Sequence, residues 1–249
     1  MEKFNVQPGT KVAPDRFHIT VMEEGPYLVY GQPPLKQQFM LPNREGEIWY
    51  YKAGKEYATQ DEPTALCRCG ASKTKPYCDG SHVHTDWDPS LTASEEPLLD
   101  EAESFGGPEV ALTDNREYCA FARFCDAKGQ VWNLVEEGEP ARDLTIREAD
   151  RCPAGRLSAW LDASHPHEPH FEPSLGLLED PQRGCSGALW VRGGIPIQRE
   201  DGFVYEIRNR ATLCRCGQSS NKPYCDGTHA SMGFRDGLPG KPEPDGEEW

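Results

Sequence analysis

Apolar and polar positions alternate in short runs through the first and last thirds of the chain. Ile19-Thr20-Val21 and Tyr27-Leu28-Val29-Tyr30 flank Glu24-Gly25-Pro26, which predicts a β-hairpin. Toward the other end, Gly187 to Val191, Ile195 to Gln198 and Phe203 to Ile207 read as short strands, punctuated by Gly193-Gly194 and Asp201-Gly202. Thr64-Ala65-Leu66 runs straight into Cys67, as Ala211-Thr212-Leu213 runs into Cys214. Each extended segment therefore delivers a cysteine at its end. Glu95 to Pro108, acidic with Pro and Gly, reads as a linker, and Gly237 to Trp249 as a disordered acidic tail. No apolar run approaches the ~18 residues of a membrane span. Met1-Glu2-Lys3-Phe4-Asn5 lacks the apolar core of a secretion signal.

Charge narrows the partners. Among 249 residues there are 26 Lys plus Arg against 41 Asp plus Glu, a formal net charge of −15. Such a surface has no cationic excess with which to release counterions from nucleic acid or from an anionic membrane. The expected setting is cytoplasmic, with neither as a partner. Hydrophobic residues make up 37%, enough for a core but a lean one.

Ten cysteines carry the chemistry. Two groups hold three each, so pairing within a group leaves one over, and a Cys-x-Cys bridge strains disulfide geometry. Clustered cysteines without an export signal point to metal or redox work. The segment Cys67-Arg68-Cys69-Gly70-Ala71-Ser72-Lys73-Thr74-Lys75-Pro76-Tyr77-Cys78-Asp79-Gly80-Ser81-His82 recurs as Cys214-Arg215-Cys216-Gly217-Gln218-Ser219-Ser220-Asn221-Lys222-Pro223-Tyr224-Cys225-Asp226-Gly227-Thr228-His229. Upstream, Gly25 to Leu35 echoes Gly187 to Ile197, with an insertion in the first copy around Gln37 to Lys55. This is a duplicated unit. Each copy spans only ~60–70 residues, a size at which a structural metal helps.

Three thiolates and one imidazole make a full set of four ligands. Zinc in a Cys3His site is one reading, although zinc sites usually separate paired cysteines by two to four residues. A one-residue spacer could instead place both sulfurs on one iron of a cluster. Gly70, Gly80 and Pro76 would hold the loop tight and let backbone N–H groups approach it. Asp79 and Asp226 are placed to cap a short helix running through the histidine.

Both segments resemble the CDGSH iron–sulfur family, the mitoNEET-like proteins, matching every fixed position of its pattern. The resemblance implies a 2Fe–2S cluster in each copy. Cys67, Cys69, Cys78 and His82 would hold one, and Cys214, Cys216, Cys225 and His229 the other. Asp79, Gly80, Asp226, Gly227, Pro76 and Pro223 would form the surrounding shell. Single-copy members form intertwined homodimers, so a tandem chain is expected to be a monomer with an internal pseudo-twofold axis. A histidine ligand raises the reduction potential over an all-cysteine site and makes the site weaken in acid.

Between the copies, Cys119-Ala120-Phe121-Ala122-Arg123-Phe124-Cys125 precedes Cys152-Pro153-Ala154-Gly155-Arg156. This stretch resembles the divergent single-cluster ferredoxin-like family. The usual second ligand position is Ala122, leaving Cys119, Cys125 and Cys152 to support a 3Fe–4S centre, or a 4Fe–4S centre with an outside ligand. Cys185 is the spare thiol. His165-Pro166-His167-Glu168-Pro169-His170 reads as a rigid surface loop, and Trp87 and Phe234 as core anchors behind the two sites. Lys73, Lys75 and Lys222 lie near the clusters as charge partners or solvated side chains.

The expectation is a mainly β, α+β protein with short helices. It comprises residues 1–93 with the first CDGSH unit, 94–172 with linker and ferredoxin-like segment, 173–236 with the second unit, and the tail 237–249. Its work is electron transfer, redox sensing or cluster transfer through redox or cluster-acceptor proteins. The rivals are a zinc-binding interaction module and an oxidoreductase using the middle domain, for which no catalytic motif speaks.

Overall fold

The computed structural model describes residues 4–59 and 61–242. The expected tail beyond residue 242 lies outside them. The first third forms β1 (His18–Val21), β2 (Tyr27–Tyr30), β3 (Leu35–Pro42), β4 (Ile48–Tyr57) and β5 (Thr64–Leu66). The middle forms β6 (Glu103–Gly106), β7 (Ala111–Asp114), the helices α1 (Val131–Glu137) and α2 (Arg142–Asp150), β8 (Leu157–Trp160) and β9 (Pro166–His167). The last third forms β10 (Ser174–Asp180), β11 (Cys185–Arg192), β12 (Ile197–Arg199), β13 (Arg210–Leu213) and the single turn α3 (Thr228–Ser231). The protein is mainly β with short helices. No helix among the described residues is long and apolar enough to cross a membrane.

The two copies exchange strands. One sheet runs β12-β1-β2-β5 and another β13-β11-β10-β3-β4, so the second copy lends β12 to the first copy's sheet and the first lends its β3–β4 hairpin to the second's. The borrowed strands pair in parallel and in matching register: Ile19 opposes Ile197, and Leu175 opposes Leu35. Within the copies, Tyr27 opposes Leu66 as Leu189 opposes Leu213. The chain is thus an intramolecular pseudo-dimer. Exchange covers a sheet edge in each copy that would otherwise present unpaired N–H and C=O groups. On β1 the alternation buries Ile19 and Val21 fully, while His18 and Thr20 are half-buried.

The insertion in the first copy is the β3–β4 hairpin. Its turn is closed by Asn43, whose Oδ1 accepts the N–H groups of Glu45 and Glu47 at 3.0 Å each. In the second copy β12 stops at Asp201-Gly202, and the strand expected over Phe203 to Ile207 does not form. Its N–H groups go to different neighbours, Tyr205 to the Ile197 carbonyl and Ile207 to Asn5, so no ladder develops.

Two further expectations are corrected. Glu95 to Pro108 is not a loose linker, because Leu98 is 1% exposed and β6 is the edge of the middle sheet, β6-β7-β8-β9. Leu98 and Phe105, interleaved among the acids, pack on the core and pin the segment. The first residues of the tail are likewise bound. Leu238 packs on the core, and the Pro239 carbonyl accepts Gln37 Nε2 at 2.9 Å. A single apolar cluster runs through all three parts, from Ile19 and Leu66 through Leu112 and Val131 to Leu177 and Leu213.

Candidate metal centres

Each CDGSH-like segment hangs from the end of a strand. β5 ends at Leu66 and β13 at Leu213, and each leads directly into its first cysteine. The loop then folds back so that Cys67 N–H donates to the Pro76 carbonyl and Cys78 N–H to Ala65, with the same pair of bonds at Cys214–Pro223 and Cys225–Thr212. Pro76 and Pro223 follow cis peptide bonds. Ser72 Oγ donates to the Tyr77 carbonyl at 2.6 Å and Ser219 Oγ to Tyr224 at 2.7 Å, tying the loop's two limbs. Lys75 and Lys222 donate Nζ hydrogens to the Ser72 and Ser219 carbonyls rather than lying free in solvent.

The four candidate ligands meet two by two. Cys67 Sγ lies 3.8 Å from Cys69 Sγ, and Cys78 Sγ lies 3.4 Å from His82 Nδ1. In the second copy the distances are 3.6 Å for Cys214–Cys216 and 3.3 Å for Cys225–His229 Nδ1. Two thiolates each ~2.3 Å from one tetrahedral ion lie ~3.8 Å apart, so each pair has the spacing of two ligands on one metal. Among the described residues, no three His, Cys, Asp or Glu side chains converge on a single ion position.

Local electrostatics favour a thiolate in each Cys-x-Cys pair. Cys67 is lowered to about 6 by its contact with Cys69 and by the Ser72 and Gly70 N–H groups, while Cys69 is pushed up. Cys214 is likewise lowered to about 6, by Cys216 and then by the Ser219 and Gly217 N–H groups. The pair releases one proton readily and holds the other until a metal displaces it. Burial, with a smaller push from the Arg215 guanidinium, holds His229 down to about 4 and so in the neutral, ligating form.

Asp79 and Asp226 do not act as helix caps; that position falls to Gly80 and Gly227, both left-handed. Asp79 sits one residue earlier and accepts from Ser81 N–H at 2.9 Å and Lys73 N–H at 2.8 Å. Asp226 clamps Thr228 and Ser220 in the same way. Gly70 and Gly217 are required for another reason. A Cβ on Gly70 would stand 2.6 Å from the Cys216 carbonyl oxygen, and one on Gly217 would stand 2.4 Å from that of Cys69. The two loops are thus packed back to back.

In the middle segment Cys119, Cys125 and Cys152 line one cavity of about 20 Å³, closed by Ala122 and Arg156. That volume is about the room of one water. Burial raises the thiols of Cys119 and Cys125. Arg156 is 6% exposed, lies in the field of all three sulfurs and pairs with Asp114 at 3.3 Å. Ala122 lines the same cavity and belongs to a small apolar cluster with Met40, Ile48 and Phe124, so this position supplies no donor. Cys185 begins β11 with Asp180, Arg183 and Arg123 as its charged neighbours, apart from the three.

The sequence family described as iron-binding zinc finger CDGSH type matches residues 24–83 and 186–230. A second family, the divergent 4Fe-4S mono-cluster, matches residues 105–162 between them. The chain carries two CDGSH-type iron-binding domains with a divergent 4Fe-4S mono-cluster domain between them. No curated protein and no solved structure matches it.

The tandem CDGSH arrangement relies on residues that spacing alone did not single out. The residue between the first two cysteines is a buried arginine in both copies. Arg68 donates to the Gly25, Met22, Glu23 and Pro89 carbonyls, whereas Arg215 pairs with Glu179 and Asp236. Recurrence of Arg at that position was the available signal. Tyr27, on the first copy's β2, donates its hydroxyl to the Cys214 carbonyl at 2.8 Å, a support from the opposite copy that no local motif reveals. Phe234 packs against Cys214 and Cys216 as an anchor should. Trp87 is only half-buried, its ring 4.6 Å from the Arg68 guanidinium. The histidine-rich stretch is not a plain surface loop: His165, His167 and His170 pair separately with Asp162, Asp150 and Glu172, and Glu168 turns inward to Arg210.

Proposed function

We propose that this protein is an electron carrier holding two 2Fe–2S clusters. One rests on Cys67, Cys69, Cys78 and His82, the other on Cys214, Cys216, Cys225 and His229. The observation that carries the reading is the two-by-two spacing of each ligand set, since a single ion would draw all four donors to mutual distances of ~3.8 Å. When bound, such clusters supply one-electron chemistry at a potential raised by the imidazole ligand. Everything else falls to the chain. Backbone N–H groups at Gly70 and Ser72, and at Gly217 and Ser219, stabilise negative charge at the sulfurs. The buried surroundings of Cys225 and His229 exclude water, while the half-exposed Cys78 and His82 form the edge where a partner protein exchanges electrons. That same exposure favours, as a second reading, delivery of a cluster from the first site to an acceptor protein.

The middle segment supplies three thiolates, one fewer than a four-iron cube uses, which suits a 3Fe–4S centre or a 4Fe–4S centre with a ligand from outside the chain. Strand exchange within one chain supports a monomer. The test is metal and acid-labile sulfide analysis of anaerobically purified protein, with EPR after reduction. About four iron and four sulfide per chain are expected from two 2Fe–2S clusters, and about seven to eight iron with the middle centre filled. Zinc without sulfide overturns the reading. Mixing the reduced protein with an oxidised holo-ferredoxin and, separately, with an apo-ferredoxin separates the two functions: electrons pass to the former without loss of iron in the first, and iron and sulfide leave for the latter in the second.

A further inference from the structure

A cavity of about 710 Å³ lies where α2 and the Leu161–Phe171 stretch meet the face of β3, β4 and β11. Its size falls within the roughly 300–1,000 Å³ of small-molecule sites. One wall is aromatic. Trp190 stands 4.6 Å from Tyr51 and 5.4 Å from Phe171, ring centre to ring centre.

The polar groups there are unequally matched. Asp143 pairs with Arg142, and Asp150 pairs with His167. Both carboxylates lining the cavity are thereby occupied. Arg147, Arg151 and Arg192 also line it, and none has a carboxylate partner among the described residues. In a chain of net charge −15 this is a local concentration of unbalanced positive charge. Two buried donors are unused as well. Trp190 is 2% exposed, yet its Nε1 has no acceptor, and Arg192 Nε has none. Buried donors ordinarily find partners, and an unpaired one that lines a cavity marks a place for an acceptor.

We propose that this cavity binds an aromatic nucleotide, its planar ring against the half-buried Tyr51 and Phe171, an acceptor of it toward Trp190 Nε1, and its phosphate among Arg147, Arg151 and Arg192. Guanidinium groups suit phosphate because their forked donors match its oxygens, and they stack on aromatic faces as Arg192 does here, 4.7 Å from the Trp190 ring. The position is informative: Tyr51, in the cavity wall, donates its hydroxyl to the Arg151 carbonyl at 2.8 Å, one residue before Cys152. A nucleotide held there lies beside the middle cysteine set, where a flavin nucleotide would be usefully placed. The proposal does not rest on the clusters, because binding is read independently of iron content.

Isothermal titration of the purified full-length protein with FMN, AMP and inorganic phosphate tests it. One nucleotide is expected to bind at one site per chain, with phosphate alone at least about tenfold weaker. Binding of FMN but not AMP assigns a flavin; the reverse assigns an adenine nucleotide. Arg192→Gln and Arg147→Gln should each weaken binding about tenfold or more, the cost of one charge-assisted contact. Trp190→Phe, which keeps a ring and removes the donor, should weaken it less. The proposal is overturned if neither nucleotide binds at millimolar concentration, if phosphate binds as tightly as both, or if the folded arginine variants bind unchanged.

Discussion

The same cysteine motif sits in two different surroundings. In the first copy Cys78 and His82 are half-exposed, and a Cβ on Gly80 would meet nothing within 4 Å. In the second, Cys225 and His229 are 2% and 3% exposed, and a Cβ on Gly227 would stand 2.9 Å from the Cys119 carbonyl oxygen. The difference is the middle segment, which covers the second site and meets the first copy at the β3–β4 hairpin. Asn221 donates to the Glu117 carbonyl across that seam at 2.9 Å, and Tyr224 packs edge-on against Tyr118. Deeper in, Arg210 donates to the Ala149, Asp150, Cys152 and Leu157 carbonyls and pairs with Glu168. The equivalent position in the first copy is Pro63, which can do none of this. Matching cysteine–histidine sets therefore become an open candidate site and a covered one through what lies over them.

The most severe test of that contrast removes the pin. Arg210→Met should cost about 3–5 kcal/mol in denaturant unfolding, because Glu168 is left buried and unpaired. It should also make iron in the second site as easy to chelate as in the first. Next come the glycines. Gly227→Ala combines a left-handed backbone penalty of ~1–2 kcal/mol with overpacking of ~1–3 kcal/mol, whereas Gly80→Ala pays the first alone. Equal losses of stability in the two variants would mean that the middle segment does not press on the second site. Gly70→Ala and Gly217→Ala should harm the protein alike, since each Cβ strikes the other copy's backbone.

Chelation kinetics read the contrast more gently. Iron should leave in two phases, the fast one about tenfold quicker and abolished in His82→Ala, as a difference of ~1.4 kcal/mol in local opening gives. His229→Ala should remove the slow phase instead. The smallest effect concerns the covering segment itself. Glu148 on α2 is 1% exposed, its Oε2 has no partner, and burial raises its pKa to about 7. Raised above the unfolded value of 4.5, this carboxyl stabilises the fold fully below that pH and loses the contribution as pH climbs through about 7. Between pH 5 and 8 the melting temperature of Glu148→Gln should fall by about 2–4 °C less than that of the native chain.

Much of this was legible in one dimension. The hairpin at Gly25-Pro26, the insertion between Gln37 and Lys55, and the two spaced sets of cysteine and histidine all follow from local pattern, because turn residues and ligand spacing act over a few positions. Leu98 and Phe105 were misread because an acidic, Pro-containing stretch hides two anchors that matter only once a core exists to receive them. Phe203 to Ile207 alternates like a strand, yet its hydrogen bonds go to two separate neighbours. Spacing also missed Arg210 and Glu168, which lie 42 residues apart and meet only in the folded chain.

Sequence alone thus determined the duplicated unit, its strand-then-cysteine order and the chemical type of its donors, all set by short-range geometry. Folding decided which strands change places between the copies, which site is covered and which arginines are left without acids around a cavity. Those outcomes depend on surfaces distant in sequence meeting and excluding water, which no local stretch of chain encodes.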